Sequence, residues 1–201
     1  MMTVKEAIEK RRSIRKYKPD PVPEELINQI LESARLAPSG VNRQPWRFRV
    51  VTDPDTRAKL REAAFNQKFV EQAPVVIVCC SDLLTFVRDT NKRLQELVDA
   101  GAIPPAALAG YPQEEYTEDW EVLKKFIPEA MFNTSIAIEH MLLTATALGL
   151  GSCWVARIRG SVIQKILGLP KHMILNALLT IGYADEYPSA RPRLPLKNIL
   201  A

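Results

Sequence analysis

The order of hydrophobic and polar residues changes period several times along the chain, and each change marks the end of a predicted element. Apolar residues spaced three and four apart are typical of helices, whereas alternation or a short unbroken apolar run is typical of strands. Because the two kinds of segment alternate, the pattern favours one sheet with helices on both faces. Helices are predicted from Thr3, from Pro23, over about 55–65, 83–99 and 129–148, and from Ser161 to Gly168, and strands over 46–52, 74–80, 152–156 and 173–184.

Local signals mark several of the predicted helix ends. The spacing Thr3-x-x-Glu6 is a capping box, and Ser161-x-x-Gln164 repeats it before a later helix. Pro23 is a favoured first-turn residue, so the second helix is predicted to begin there. The remaining end signals are Pro38, which stops the second helix, and Gly149 and Gly151, which end the long one.

Two segments do not fit the alternation of core elements. Residues 82–127 carry a charged helix, proline and glycine turns and several aromatic residues, including Tyr111 and Tyr116. They are predicted to be an insertion over the core, either a lid or a surface elaboration. Residues 185–201 are extended and rich in proline, and they contain apolar side chains that a solvated tail would not need, so we expect this arm to pack on another subunit. Those side chains are Leu194, Leu196, Ile199 and Leu200.

The composition is that of an ordinary globular protein. The chain has 201 residues, of which 47 % are hydrophobic and 25 % charged, which suits one domain with a sizeable core. No apolar run approaches the roughly 18 residues of a membrane span, and the N-terminal residues lack a signal-peptide core, so a cytoplasmic protein is expected. The three cysteines are predicted to be free, buried thiols, and neither histidine has a partner at metal-ligand spacing.

Positive charge is concentrated at both ends of the sequence. Residues 1–20 hold seven basic and three acidic residues, and residues 188–201 hold three basic residues and no acid, whereas the whole chain carries only +4. Two basic clusters so far apart in sequence can converge on one anion, whereas a nucleic-acid-binding protein more often spreads its charge along one element. The distribution therefore favours a compact anionic ligand.

The first candidate site lies at the end of the first helix. The run Arg11-Arg12-Ser13-x-Arg15 offers guanidinium groups and a hydroxyl that can hold a phosphate, and an arginine of the C-terminal cluster can complete the cage. By itself, the run is also compatible with a solvated basic face or with a nucleic-acid patch.

Two further motifs leave alternatives open when each is taken alone. The loop at residues 38–46, Pro-Ser-Gly-x-Asn-x-Gln-Pro-Trp, either offers donors and acceptors to a polar ligand or is a turn with self-satisfied side chains. Residues 148–155, LGLGSCWV, hold part of a G-x-G-x-x-G fingerprint, but the segment leaves a helix instead of entering one, so a dinucleotide-binding Rossmann site is excluded. The segment either runs along a flat ligand or simply caps a helix before a core strand.

In this order, and with Arg-Pro-Arg-Leu-Pro near the end, the motifs resemble the nitroreductase family, and the resemblance covers nearly the whole chain. It implies an α+β fold of three layers, α/β/α, with a mostly antiparallel sheet, helices on both faces, and a C-terminal arm exchanged in a homodimer. It also implies that FMN is held by both basic clusters, by a loop of the partner subunit and by two segments beside the flavin ring. The implied contacts are Arg11, Arg12, Ser13, Arg15, Arg191 and Arg193 at the phosphate, Pro38, Ser39, Gly40, Asn42 and Gln44 from the partner, and Asn66 or Gln67 with Trp154, Val155, Ala156 and Arg157 at the ring.

The resemblance implies the reaction as well. Tightly bound FMN carries a hydride from NAD(P)H through flavin N5 to an electron-poor acceptor such as a nitroaromatic or a quinone, in a ping-pong cycle at the subunit interface. No protein side chain then has to act as a nucleophile or acid-base catalyst, and no metal or nucleic acid is involved. The alternatives are ene reduction, reductive dehalogenation and FMN binding without turnover, although the interval between Asp53 and Ala73 is short for the lid of deiodinase-like members. Ala156-Arg157 also departs from the glycine or acid that is common there.

Overall fold

The computed structural model describes residues 2–110 and 117–200, so Tyr111 and Tyr116 lie outside the described residues. Helices and strands alternate through the first part of the chain and again after the long helix, as the periodicity predicts. The helices are α1 (Val4–Lys10), α2 (Glu24–Arg35), α3 (Pro54–Ala63), α4 (Lys68–Gln72), α5 (Leu83–Arg88), α6 (Thr90–Asp99), α7 (Trp120–Leu123), α8 (Ile127–Ala147) and α9 (Gly160–Leu167). The strands are β1 (Trp46–Val51), β2 (Val75–Asp82), β3 (Gly151–Val155) and β4 (Met173–Gly182).

The four strands form one sheet in the order β1-β2-β4-β3, and each neighbouring pair is antiparallel. Side chains on the two faces of the sheet enter different cores. Ile77 and Cys79 of β2 pack with α2 and α8, whereas Val76 and Val78 pack with α3, α4 and α9. Helices therefore cover both faces, and the predicted three-layer α+β fold is confirmed.

The segment that follows the sheet residue Asp82 has a small core of its own. Leu83, Phe86 and Leu123 are buried against Ala130 of α8, and the Phe86 and Phe126 ring centroids lie 6.1 Å apart. The single helix predicted over 83–99 is wrong, because the chain breaks at Asp89 into α5 and α6. The described part of the predicted insertion is thus packed against α8, and its role as a lid stays a prediction.

Three predicted helix ends need correction. Pro23 occupies the N-cap of α2 rather than its first turn. Ser161 lies inside α9, whose N-cap is Arg159, because the Arg159 backbone N–H donates to the Ala63 carbonyl and fixes the start of the helix earlier. Gly151 does not end α8 but begins β3. The capping box at Thr3, in contrast, is present as predicted.

Two glycines allow the chain between α1 and α2 to lie directly on the sheet. Gly151 and Gly182 are opposite each other in the β3–β4 register. A Cβ at Gly151 would lie 2.9 Å from Ile14 Cγ1, and one at Gly182 would lie 2.6 Å from Pro74 Cδ and 2.9 Å from Tyr17 Cδ1. Since real Cβ atoms do not approach so closely, this glycine pair is what lets residues 14–17 reach the sheet.

The C-terminal arm presents an apolar surface to solvent in the single chain. Its exposed apolar residues are Leu194, Leu196, Ile199 and Leu200, each about two-thirds exposed. Surface of this kind is typical of a protein-protein contact. Exchange of the arm in a homodimer stays a prediction. Among the residues that the structure describes, no helix is long and apolar enough to cross a membrane.

Candidate functional site

The two basic clusters meet in one surface cavity of about 310 Å³. Five arginines and two serines from the two basic segments line it, against one carboxylate, that of Glu9. The cavity therefore has a strong excess of positive charge and suits an anion of phosphate size and geometry. All six residues expected at the phosphate contribute to it, namely Arg11, Arg12, Ser13, Arg15, Arg191 and Arg193.

Backbone pairing beside the sheet brings the two ends together. Ser13 forms a parallel bridge with Ser152 of β3, and Tyr17 an antiparallel bridge with Ala184, just beyond β4. The Arg15 backbone N–H donates to the carboxylate of Glu186, a residue that the sequence did not single out. These bonds fix residues 13–17 against 184–186, so the arginines that precede and follow them face one cavity.

The guanidinium groups of the cavity differ in their present partners. Arg12 donates to the carbonyls of Glu9 and Arg11 at 2.6 and 2.8 Å, so it mainly caps α1. Arg193 donates to the neighbouring carbonyls of Arg191 and Pro192. The guanidinium groups of Arg11 and Arg191 make no hydrogen bond or ion pair with any other residue in 2–110 or 117–200, and their donors remain for a ligand.

Cys153 forms a hydrogen bond with Ser13 of the cavity lining, and its thiol is unreactive. Its side chain is buried, and burial raises the pKa of the thiol, although Arg15 and a hydrogen bond with Ser13 act in the opposite direction. Burial also raises the pKa of Cys80 to about 12. All three cysteines are free and buried, as predicted, and their thiols are protonated at neutral pH. None is suited to act as a nucleophile.

A second group of expected residues comes together after β3. The Gln67 side-chain amide donates to the Arg157 carbonyl at 3.1 Å and to the Ala64 carbonyl at 2.8 Å. Asn66 is exposed, has φ 58° and shows no side-chain bond to another described residue. Val155 points into the core, whereas Ala156 is exposed. Asn66 is therefore the better ligand contact of the Asn-Gln pair, and Val155 can offer only its backbone.

The loop at residues 38–44 makes its contacts elsewhere, with α5, α6 and α8. Val41, Asn42 and Gln44 have φ values of 56°, 53° and 48°, a left-handed conformation that is costly for the β-branched Val41. Within the loop, the Gln44 backbone N–H donates to Ser39 Oγ, and the Gln44 amide donates to Asn42 Oδ1, both at 3.0 Å. Pro38 and Gly40 are exposed. The loop shares no described cavity with the basic cluster, and its expected role across a subunit interface stays a prediction.

Asn133 of α8 anchors this strained loop, and no sequence motif points to it. Its Oδ1 accepts from the Gly40 backbone N–H at 2.7 Å, while its Nδ2 donates to the Glu129 carbonyl. The side chain is 6 % exposed, so the contact is shielded from water. The oxygen and the nitrogen of this buried amide are therefore both hydrogen-bonded, which fixes the loop to the long helix.

Replacing Asn133 with leucine is expected to lower the free energy of unfolding by about 1–3 kcal/mol, because the Gly40 N–H loses its acceptor. Urea denaturation followed by circular dichroism would measure this loss. Ser135→Ala is the matched control on the same helix, since that hydroxyl only donates back to the Met131 carbonyl. Equal stability of the two variants would contradict the anchoring role.

The chemistry of the donor set agrees with FMN. The basic cavity fits a phosphate monoester, and the exposed Asn66 amide and the backbone after β3 offer hydrogen bonds of the kind that a flavin ring edge needs. In the described parts of the chain, no three His, Cys, Asp or Glu side chains are grouped to hold a metal ion. The arrangement suits a protein that binds and orients a phosphorylated cofactor.

Comparison with known proteins agrees with this fold. The pattern of the family described as the nitroreductase family matches residues 8–183 of the chain. An NADH dehydrogenase of Thermus thermophilus is 40 % identical over 213 residues, covering 100 % of this chain and 96 % of the relative. The chain belongs to the nitroreductase family, as the motifs predict.

A second relative and a solved structure are similar to nearly the whole chain. An FMN reductase [NAD(P)H] of Bacillus subtilis is 29 % identical over 201 residues, covering 99 % of this chain and 73 % of the relative. A crystal structure from Exiguobacterium sibiricum, described as a nitroreductase in complex with FMN, superposes with a TM-score of 0.80 and 28 % identity, covering 100 % of this chain and 97 % of the other.

Proposed function

We propose that this protein is an FMN-dependent oxidoreductase that passes a hydride from NAD(P)H to an electron-poor acceptor such as a nitroaromatic or a quinone. The observation that carries the proposal is the basic cavity, in which arginines from both ends of the chain face one anion site. Its relatives named NADH dehydrogenase and FMN reductase [NAD(P)H] support the same chemistry. Bound FMN supplies the hydride transfer, and both substrates use the same face in turn, which predicts ping-pong kinetics.

Within this proposal, each group of residues binds or orients the cofactor. Arg11 and Arg191 hold the phosphate, because their guanidinium groups have no other described partner. Asn66 donates to or accepts from the polar edge of the flavin ring, since Gln67 is already bonded to two carbonyls. Ala156 and the Val155 backbone lie along that edge.

The proposal includes a homodimer with the active site at the subunit interface. The exposed apolar residues of the arm, 194–200, support it, because a surface of this kind is stabilised by burial. The strained loop 38–44 supports it as well, since backbone strain of this kind is concentrated at functional sites. In the dimer this loop reaches the flavin of the partner.

The visible spectrum of the purified protein and its change with NADH under anaerobic conditions test the proposed function. Yellow protein that releases FMN on heating and is bleached by NADH or NADPH, then restored by a quinone, is the expected result. Protein that stays colourless after incubation with FMN contradicts the cofactor. Flavin that binds but is not bleached by either dinucleotide indicates an FMN-binding protein without turnover.

Replacing Arg157 with alanine is expected to make the midpoint potential of the bound flavin more negative by about 30 mV, which is a tenfold change in the reduction equilibrium. The reason is that a cation beside the ring stabilises the anionic reduced form. Spectroelectrochemical titration measures the shift, with Arg35→Ala as a control that removes one charge from the distant helix α2. An unchanged potential in Arg157→Ala contradicts this role.

Ending the chain after Arg193 is expected to convert the proposed dimer to a monomer without activity, because it removes the apolar part of the arm and leaves the basic cavity complete. Light scattering measures the mass in solution. Leu36→Ser is the control, since Leu36 is 64 % exposed but is the C-cap of α2 and not part of the arm. A truncated chain that keeps the mass of the full-length protein contradicts the role of the arm.

A further inference from the structure

Two arginines lie over one exposed aromatic ring beside the proposed flavin edge. The Cζ atoms of Arg157 and Arg159 are each 4.8 Å from the centroid of Phe65. Phe65 is 42 % exposed, and its backbone is in the left-handed region with φ 56°. We call these three side chains the Arg-Phe-Arg cluster.

Hydrogen bonds join the segment that carries Phe65 to the backbone of Arg157 and Arg159. The Arg159 backbone N–H donates to the Ala63 carbonyl at 2.8 Å, and the Gln67 amide donates to the Arg157 carbonyl. The two arginines therefore belong to a segment that is bonded on both sides of Phe65. These hydrogen bonds hold the backbone of both arginines next to residues 63–67.

The cluster brings like charges together without a counterion. Within residues 2–110 and 117–200, neither Arg157 nor Arg159 forms an ion pair with an acidic side chain. Contact with the ring stabilises each cation but leaves its N–H donors without an acceptor in the described part of the chain. An anion bound beside the ring would neutralise this charge and accept charge-assisted hydrogen bonds from the free guanidinium donors. The arrangement is therefore that of an anion-binding site.

This site is distinct from the basic cavity, whose lining includes neither Phe65 nor the two arginines. We infer that the Arg-Phe-Arg cluster binds a phosphate group of the pyridine dinucleotide that reduces the enzyme. The inference rests on the proposed function. FMN carries a single phosphate, which the basic cavity takes, whereas the reductant brings a diphosphate and, in NADPH, an additional 2′-phosphate. Asn66 follows Phe65 directly, so a dinucleotide on the flavin passes close to the cluster.

Stopped-flow reduction of the FMN-loaded protein tests this inference, because it separates binding of the reductant from the rate of hydride transfer. Arg159→Gln is the variant, since Arg159 has no proposed contact with FMN. We expect the Kd for NADPH to rise about tenfold, the value of one lost charged hydrogen bond, with the limiting rate of flavin bleaching unchanged. Arg159→Lys, which keeps the charge, should recover most of the affinity. Arg35→Gln controls for the change in net charge.

The Kd for NADH identifies which phosphate the cluster binds. A rise confined to NADPH assigns the 2′-phosphate, and an equal rise for both dinucleotides assigns the diphosphate, and either result supports the inference. Bleaching with an unchanged Kd for both in Arg159→Gln overturns the inference and leaves the proposed function intact. Wild-type protein whose flavin is bleached by neither dinucleotide overturns both.

Discussion

Replacing both Arg11 and Arg191 with glutamine is expected to weaken FMN binding by about 100-fold, which corresponds to two charged hydrogen bonds discounted for solvent exposure. These two guanidinium groups face the basic cavity without any other described partner, so their donors serve a ligand alone. Quenching of flavin fluorescence on titration with the apoprotein measures the Kd. The Kd of the wild-type protein for FMN should also rise with salt, because the contact is partly exposed and salt screens it.

Riboflavin provides the control for this experiment, because it has the same ring without the phosphate. The double variant should bind riboflavin as the wild-type protein does, and its affinity for FMN should fall towards that common value. A parallel loss of riboflavin affinity would mean that the substitutions damage the fold. Unchanged FMN affinity would mean that the cavity is a solvated basic face, the alternative that the sequence left open.

Replacing Gly182 with alanine is expected to lower the free energy of unfolding by about 3 kcal/mol and the Tm by roughly 5–10 °C. The new Cβ would lie 2.6 Å from Pro74 Cδ, and since the proline ring belongs to the entry of β2, it has little room to move. The same Cβ would press on Tyr17, whose hydroxyl is bonded to Thr180 Oγ1 at 2.7 Å. Calorimetric unfolding of the apoprotein measures the loss.

Gly160→Ala is the matched control for this substitution. Its Cβ would meet only Leu175 Cβ at 3.5 Å, an ordinary contact, and the position is the first residue of α9. Alanine is a better helix former than glycine, so this variant should be as stable as the wild-type protein or slightly more stable. If both variants unfold at the wild-type temperature, the close approach of residues 14–17 to the sheet does not constrain the fold.

The sequence predicts those elements whose signals are local. The capping box at Thr3 depends on residues three apart, and it forms as expected. The unbroken apolar run that becomes β2 is buried on both faces, as a central strand requires. Ser161 fails as a cap because a distant carbonyl, that of Ala63, binds the Arg159 N–H and decides where α9 begins. Long-range bonds of this kind leave no periodic signal.

The candidate site also contains residues that local sequence signals identify and residues that only long-range contacts identify. The basic runs around Arg11 and Arg191 could be selected from residue type alone, and the structure brings them into one cavity. Asn133 and Glu186 could not be selected in this way, because each accepts a hydrogen bond from a backbone N–H far away in sequence. The glycine pair is a further example, since Gly151 appeared to be a helix terminator, whereas its importance comes from the approach of Ile14.

The sequence positions of the residues that line the basic cavity also determine when the cavity can form during synthesis. Its lining joins residues near position 11 to residues near position 193, and both must lie beside the completed β3–β4 pair. A ribosome releases Arg11, Arg12 and Arg15 early, but the cavity is incomplete until residues 188–193 have also emerged. We therefore expect FMN to bind late in the synthesis of the chain. If this cavity holds the phosphate as proposed, a nascent chain that stalls before residues 188–193 emerge can fold much of its core but cannot bind the phosphate there.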